Sequence, residues 1–503
     1  MNRAEAVAAI DGQERPWDVL VIGGGASGLG TALEAASRGH RTLLLEGADF
    51  GQGTSSRSTK LIHGGLRYLR QGRIGVVRES LCERETLLRN APHLVHPLGF
   101  VIPCFRWWEK PFYHFGLCLY HRLSGSLRLG RAGGLSKAET LERLPGMVAA
   151  NVTGGVHYED GQFDDAQLLI SLLRTLLAEG GHALNHCRVV KLRKKSGRVC
   201  GVIAQDELGS REFEIEAKVV VNATGIFSDE LRRLDDPQTL PNITASQGIH
   251  LVLPRKFMPG KEAIMIPKTH DGRVLFIIPW HDHLLVGTTD SARDKMELEP
   301  RASSEDIDYL LGYLNHYLEK PVGRKDVLSC FAGLRPLMGT AGGGKTSRIS
   351  RDYQLATADS GLITLAGGKW TTYRAMGEAT VNQAEAVGHL KNQPSRTRDL
   401  KLFDQAENEV REIINRTPDL EKALNPDYPW TEAHVIHAVR NQFANQVEDV
   451  LSRRLRALPL NAQAATAMAA RVAELMADEL ERNDAWQTEQ VAAFRKLAAD
   501  YLP

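Results

Sequence analysis

The stretch that most restricts how this chain folds is residues 18–46. DVLVIG (18–23) is a short apolar, β-rich run that reads as a buried strand. It leads directly into Gly23-Gly24-Gly25-Ala26-Ser27-Gly28, which satisfies G-x-G-x-x-G. Leu29, Ala32, Leu33 and Ala36 then recur at helical spacing, Gly39 is placed to end that helix, and a second apolar strand, RTLLLE, finishes at Glu46. Each part has a physical task. Gly23 makes the tight turn, Gly25 lets a pyrophosphate approach the backbone, and Gly28 lets helix and strand pack closely. The helix start at Ala26 and Ser27 offers backbone donors and partial positive charge. Glu46, 18 residues beyond the third glycine, is placed to accept hydrogen bonds from a ribose. Strand, glycines, helix, strand and acid agree on a dinucleotide-binding α/β unit.

The segment after Glu46, FGQGTSSRSTKLIHGGLRY (50–68), is rich in Gly, Ser and Thr and then turns basic. It reads either as a wrap around a long cofactor or as an ordinary polar loop. Two later segments bear on the choice. VVVNATGIFSDEL (219–231) ends a strand in Ala223-Thr224-Gly225, and LITLAGGKWTTYR (362–374) ends one in Gly367-Gly368 before a helical run. Three strands that end in small residues, far apart in sequence, fit a discontinuous domain closing on one extended cofactor. That pattern suits FAD better than NAD.

A second nucleotide motif needs weighing. GTAGGGKTS (339–347) formally matches the phosphate loop of ATPases. Such a loop needs a strand before it and a helix after it, so that N–H groups converge on the phosphates. Here Pro336 precedes it and the following SRISRDYQLATA alternates like a strand. The match is read as a connector and not as an ATP or GTP site.

At 503 residues the chain predicts two or three domains. A hydrophobic fraction of 43% places it among ordinary folded proteins, and a formal net charge of +1 gives no reason to expect nucleic acid as a partner. Glu5 and Asp11 interrupt the apolar N-terminal stretch, which makes it a poor secretory signal, and no run of about 18 apolar residues predicts a membrane span. Six scattered cysteines without a C-x-x-C pair argue against a zinc site, an iron–sulfur cluster and a disulfide framework, and for reduced thiols in the cytoplasm.

Several motifs together resemble the FAD-dependent glycerol-3-phosphate dehydrogenases that feed electrons to quinone. They are VIGGGASGLG, TSSRSTKLIHGGLRYL, FDDAQLL (163–169), VVNATG, PWHDHLLVGTTD, AGLRPL, SRDYQL and GGKWTTYR, in the family's order over roughly residues 18–375. The resemblance implies an α/β fold, with a discontinuous Rossmann-type FAD-binding domain interleaved with a mixed-sheet substrate domain. An all-helical C-terminal domain follows. The expected boundaries put the oxidoreductase region at 1–390, with cofactor segments at about 15–100, 150–235 and 355–390. Substrate segments then fall at about 100–150 and 236–354. The C-terminal domain is expected at 391–503, after the linker KNQPSRTR, where segments such as VEDVLSRRLRAL and AATAMAARVAELMADELE read as helices. No calcium-loop pattern occurs there, unlike in the family's mitochondrial members.

The resemblance further implies oxidation of sn-glycerol 3-phosphate to dihydroxyacetone phosphate, by hydride transfer from C2 to FAD and electron delivery to ubiquinone. The expected cofactor contacts are Gly23, Gly25, Ala26, Ser27, Gly28 and Glu46, then Thr54, Ser55, Ser56, Ser58, Thr59, Lys60, Leu61 and His63. Ala223, Thr224, Gly225, Gly367, Gly368, Lys369, Thr371 and Thr372 complete that set. A phosphate dianion calls for arginine forks. Arg335 in GLRPL, Arg351 in SRDY, Arg67, Tyr68 and Lys369 match substrate-site positions. His250 in SQGIHLVLP is the candidate base, because imidazole titrates near neutral pH. Its flanks, Gln247 and Ile249, depart from the family's usual Lys-Gly-Ser-His. Arg335 is the alternative, steadying a developing alkoxide.

Residues 100–120 hold eight aromatic rings beside Arg106, Lys110 and His114. This composition suits either the headgroup boundary of a membrane or an aromatic core or dimer contact. The resemblance implies a peripheral enzyme on the inner face of the cell membrane, and it is compatible with a homodimer. The rival readings are an oxygen-using glycerol-3-phosphate oxidase, a flavin oxidase for amines or hydroxy acids, and a non-catalytic FAD- or NADH-binding sensor.

Overall fold

The computed structural model describes residues 2–65, 72–124, 129–270, 272–339 and 352–503. DVLVIG does form a buried strand, Trp17–Ile22, at the centre of the first sheet. It pairs in parallel with Thr42–Leu45 on one side and with Arg211–Asn222 on the other. Ile363–Gly367 and His182–Leu184 extend the parallel set outwards. Strands covered on both faces must be apolar throughout, which is why VLVI, LLLE and VVVN carry no alternation. The helix Ala26–Ser37 ends as expected, with Gly39 in the left-handed region at φ 85°. Leu29, Leu33 and Ala36 bury its inner face in the same core as Val19, Val21 and Leu44. Each leucine so buried contributes about 1.5–3 kcal/mol.

The second sheet is mixed. Ile243–Pro254 runs antiparallel to Ser329–Met338, Ser291–Arg293 and His283–Gly287, while Ala263–Ile266 is parallel to Val95–Cys104. Leu275–Trp280 and His283–Gly287 form the hairpin expected at Trp280-His281-Asp282-His283, with φ of 43° and 58° at the two central residues. Gly154–Phe163, within a stretch assigned above to the cofactor segments, joins this second sheet through Val95–Cys104. Pro336 sits on Ser329–Met338, which among the described residues pairs only with Ile243–Pro254 and so lies at an edge, where proline's missing donor is tolerated.

The C-terminal region is helical, with helices Ala406–Arg416, Glu432–Gln442, Ala462–Leu480 and Asp484–Ala499. It docks on the second sheet. Ser329 Oγ donates to the Leu458 carbonyl at 2.9 Å, and Cys330 N–H to that of Tyr501 at 2.7 Å. VEDVLSRRLRAL departs from a regular α-helix. Asp449–Arg454 forms a π-helical turn, and Arg456 is left-handed at φ 65°. Arg453 and Arg454 both reach Asp49 in the first domain, and this cluster of buried ion pairs overrides the local helical period. All six cysteines are free.

Candidate active site

Parallel pairing delivers the C-terminal ends of four strands to one side of the sheet, the place where α/β folds bind ligands. Those ends carry Gly23–Gly28, Glu46, Ala223–Gly225 and Gly367–Lys369, which line a single cleft except for Gly24 and Gly28. Gly23 has φ 111°, and a Cβ there would lie 2.5 Å from the Ala223 carbonyl oxygen. A Cβ on Gly28 would lie 1.8 Å from the Gly23 carbonyl oxygen. The helix that begins at Ala26 has no capping side chain at Gly25; Ser55 Oγ takes the Ala26 N–H, and the N–H groups that follow in the first turn are left to favour an anionic ligand. Glu46 accepts from Gly24 N–H at 2.5 Å and Ala48 N–H at 2.8 Å. A carboxylate has about four lone-pair sites, so it retains capacity for ribose hydroxyls. Burial raises its pKa above the usual value.

The Gly/Ser/Thr-rich segment does wrap the cleft. Thr54, Ser55, Ser58, Thr59, Leu61 and His63 line it, as does Thr371 opposite. The segment is held from behind. Ser55 Oγ accepts from Ala26 N–H at 2.9 Å, Trp370 Nε1–H donates to the Ser55 carbonyl at 2.8 Å, and Thr54 Oγ1 donates to the Leu334 carbonyl at 2.6 Å. Ser56, Lys60 and Thr372 do not line the cleft. They are buried, their side chains turned into the protein. The cleft has a volume of about 1630 Å³. This exceeds the roughly 300–1,000 Å³ of a single small-ligand site, leaving room for a dinucleotide and a second small molecule. The Cβ-excluding turn, the uncapped helix start and the carboxylate fit FAD.

The other wall of the cleft comes from the second sheet. Ile243–Pro254 and Ser329–Met338 pair Ser246 with Arg335 and His250 with Phe331, which presents both predicted chemical side chains towards the cleft. Two glycines make room for them. A Cβ on Gly248 would lie 2.1 Å from Arg335 Nη2, and one on Gly287 would lie 2.3 Å from His250 Cδ2. Arg335 donates to Thr288 Oγ1 at 2.9 Å and to the Thr289 carbonyl at 3.2 Å. His250 is 1% exposed and stacks on Phe331, with ring centroids 5.1 Å apart. Its Nε2 lies 3.1 Å from Thr59 Oγ1, and its buried Nδ1 has no hydrogen-bond partner among the described residues. Burial, Lys60 and Arg335 hold the ring well below its ordinary pKa, so it is neutral at pH 7. Lys369 also lines the cleft. Arg67, Tyr68 and Arg351 lie outside the described residues.

Thr288 and Thr289 were not singled out from the sequence as site residues, although the quoted motif PWHDHLLVGTTD contains them. Asp165 and Arg456 were missed as well. Asp165 stands in FDDAQLL, whose twin acids carried no chemical assignment, and nothing in the sequence connects Arg456 with residues some 290 positions earlier.

The helix Glu109–Ser124 closes one end of the cleft. Phe112, Phe115 and Leu119 line the opening and face outward, Phe115 being 74% exposed and neighbouring Trp107 84%. The stretch divides between both readings, since Phe100 and Tyr120 are buried in the core while Trp107, Phe112 and Phe115 are left exposed. Among the described residues no helix is long and apolar enough to cross a membrane.

Interleaved sheets around a dinucleotide cleft, with a histidine and an arginine opposite the glycine turn, define a flavin-dependent oxidoreductase. The chain matches the FAD-dependent oxidoreductase family over residues 18–374. Residues 362–488 match a family described as the C-terminal domain of alpha-glycerophosphate oxidase. The chain is 38% identical to the mitochondrial glycerol-3-phosphate dehydrogenases of Bos taurus and Homo sapiens, across 96% of its length and 73% of theirs. Its fold superposes on the FAD complex of the glycerol-3-phosphate dehydrogenase of Bacillus halodurans with a TM-score of 0.80. That structure is 29% identical, and the match covers 100% of this chain and 98% of the other. The chain belongs to the FAD-dependent glycerol-3-phosphate dehydrogenase family and is an enzyme whose cofactor is FAD.

Proposed function

We propose that this enzyme oxidises the C2 hydroxyl of sn-glycerol 3-phosphate to dihydroxyacetone phosphate and passes the electrons to ubiquinone at the cytoplasmic face of a membrane. The observation that carries the reading is the placement of His250 and Arg335 on two adjacent strands, both lining the cleft that the glycine turn also lines. FAD, when bound, supplies the acceptor for the C2 hydride and holds the electron pair. The protein must bind a dianion, orient C2–H and take one proton. Neutral His250, whose Nε2 lies 3.1 Å from the cleft-lining Thr59 hydroxyl, is assigned the hydroxyl proton. Entry of the phosphate dianion beside Arg335 raises the proton affinity of the ring as the substrate arrives. Arg335 and Lys369 supply the charge-assisted donors for phosphate and for the developing alkoxide. Arg67, Tyr68 and Arg351 are assigned to the same site through their motifs.

The acceptor assignment is supported by the exposed rings of Phe112 and Phe115, which border the cleft and present an apolar surface to a lipid-dissolved quinone. A second reading, transfer to oxygen, draws on the match of residues 362–488 to an oxidase domain. The two separate in one anaerobic titration. Glycerol 3-phosphate should bleach the flavin absorbance, and a quinone should restore turnover. Bleaching relieved only by oxygen supports the oxidase, and bound flavin that no substrate reduces leaves a non-catalytic sensor. His250→Ala should slow flavin reduction by about 10²–10⁴-fold. Near-wild-type reduction in that variant removes the base assignment.

A further inference from the structure

The motif FDDAQLL contains two adjacent acids that the reaction above does not use. Asp164 caps the helix Asp165–Ala178, accepting from Ala166 N–H at 3.1 Å and Gln167 N–H at 3.0 Å. Asp165 is fully buried and gathers donors from three residues in two distant parts of the chain. Ser58 donates through N–H at 3.0 Å and Oγ at 2.7 Å, Lys60 through Nζ at 2.6 Å, and Arg456 through Nη2 at 2.9 Å. Lys60 Nζ and Arg456 Nη2 also share the Ser56 carbonyl, at 2.9 Å and 3.1 Å. The segment Thr54–Lys60 is thus tied from behind at Ser56 and Lys60, which turn away from the cleft, and at Ser58 on its border. Ser55 and Thr59 line the cleft, and Thr59 meets His250.

Two backbone observations show how tightly this knot is drawn. Lys60 and Arg456 both hold left-handed backbone, with φ of 61° and 65°. A long side chain adopts that conformation at a cost that surrounding contacts must offset. Lys60 is completely buried, with its ammonium 5.1 Å from the centroid of Phe331, the ring on which His250 stacks. We propose that Arg456, from the C-terminal helical region, is a positioning residue for the reaction. Through Asp165 and the Ser56 carbonyl it fixes Lys60 and the Thr59 hydroxyl against His250. The C-terminal region then completes the active site without touching cofactor or substrate. The proposal rests on the reading of His250 as the proton acceptor.

The charged groups facing His250 are Lys60 from the first domain and Arg335 from Ser329–Met338. Behind Lys60 stand Asp165, Arg456 and Asp164, the last bonded to His281 at 2.8 Å. Removing the Lys60 cation lets His250 take up its proton at higher pH, and protonated His250 cannot act as base. The full-length holoenzyme should therefore be compared with Arg456→Ala, Arg456→Lys, Lys60→Met and His250→Ala. The assay is anaerobic stopped-flow reduction of the flavin by glycerol 3-phosphate across pH.

Arg456→Ala should reduce its flavin about 100-fold more slowly, the cost of a displacement of about 1 Å at a reacting group. Its substrate dissociation constant should stay within about threefold, since no substrate contact is lost. Lys60→Met should move the acidic limb of the pH profile up by about one unit. Arg456→Lys should recover part of the rate. If Arg456→Ala fails to retain flavin, Arg456→Lys and Lys60→Met decide by the same readouts. Wild-type rates and an unmoved acidic limb in these variants overturn the proposal while leaving His250 as base. A wild-type rate in His250→Ala overturns the base reading and this proposal with it.

Discussion

Replacing Gly248 by alanine tests the substrate wall without removing any functional group. The added methyl would lie 2.1 Å from Arg335 Nη2 and 2.4 Å from Thr288 Oγ1, where ordinary contact begins at 3.4 Å. Gly248 sits mid-strand, paired with Gly333, so the backbone is pinned and the guanidinium must retreat. The retreat is about 1 Å, and it also disturbs the Arg335–Thr288 hydrogen bond of 2.9 Å that sets the fork's angle. A misplacement of that size costs about 100-fold in rate, or about 2.7 kcal/mol of transition-state stabilisation. The effect should appear in kcat/KM for glycerol 3-phosphate, measured with a soluble quinone. Flavin content should be unchanged, because the glycine turn and Glu46 are remote from the substitution. Arg335→Lys should fall at least as far, since a point charge cannot reproduce the fork. A Gly248→Ala enzyme with full flavin and unaltered kcat/KM would refute the assignment of Arg335 to the substrate.

Gly28→Ala should yield protein without flavin, because its methyl would fall 1.8 Å from the Gly23 carbonyl oxygen; the ratio of flavin to protein absorbance reads this directly, and a stoichiometric ratio counts against the cradle. Replacing Trp107 and Trp108 with serine should release the enzyme from anionic vesicles, since each exposed ring lost removes about 1.5–3 kcal/mol of burial on the lipid. Unchanged co-sedimentation would show that this surface does not dock. Burial alone would raise the Asp49 carboxyl, yet Arg454 and Arg453 hold it well below the usual range. Its stabilisation is therefore complete above the unfolded carboxylate pKa of about 3.9 and is lost as pH falls below it towards the folded value. Thermal unfolding should drop steeply below about pH 4, and Asp49→Asn should lower stability near neutral pH and flatten that slope. An equally steep acid limb in the variant would place the loss elsewhere.

Local chemistry was enough to place the cofactor cradle. Gly23, Gly25, Gly28 and Glu46 are constrained by one short βαβ unit, whose turn, helix start and second strand are neighbours in sequence and leave one geometry open. The strand ends at Ala223–Gly225 and Gly367–Gly368 were legible for a related reason, because buried parallel strands must be apolar and must stop where the backbone meets a ligand. Which side chains of Thr54–Lys60 face the cleft was harder to read. The segment's residue types are uniformly polar, so composition did not reveal that Ser55 and Thr59 face the cleft while Ser56 and Lys60 turn inward. For residues 100–120, aromatic content permitted a core or a surface, and only packing showed that Phe115 and Trp107 are left uncovered.

What the tertiary structure alone decided is long-range charge pairing. Asp49, Asp165, Arg453, Arg454 and Arg456 look like ordinary surface residues in sequence, since charges on a helical segment are normally solvated. Folding buries them against partners some 290 to 405 positions away, and buried charge must find its counter-charge. That requirement bends the helical segment at Arg456 and ties down the loop Thr54–Lys60. No local period or propensity encodes such a demand, because it arises only when the two regions meet.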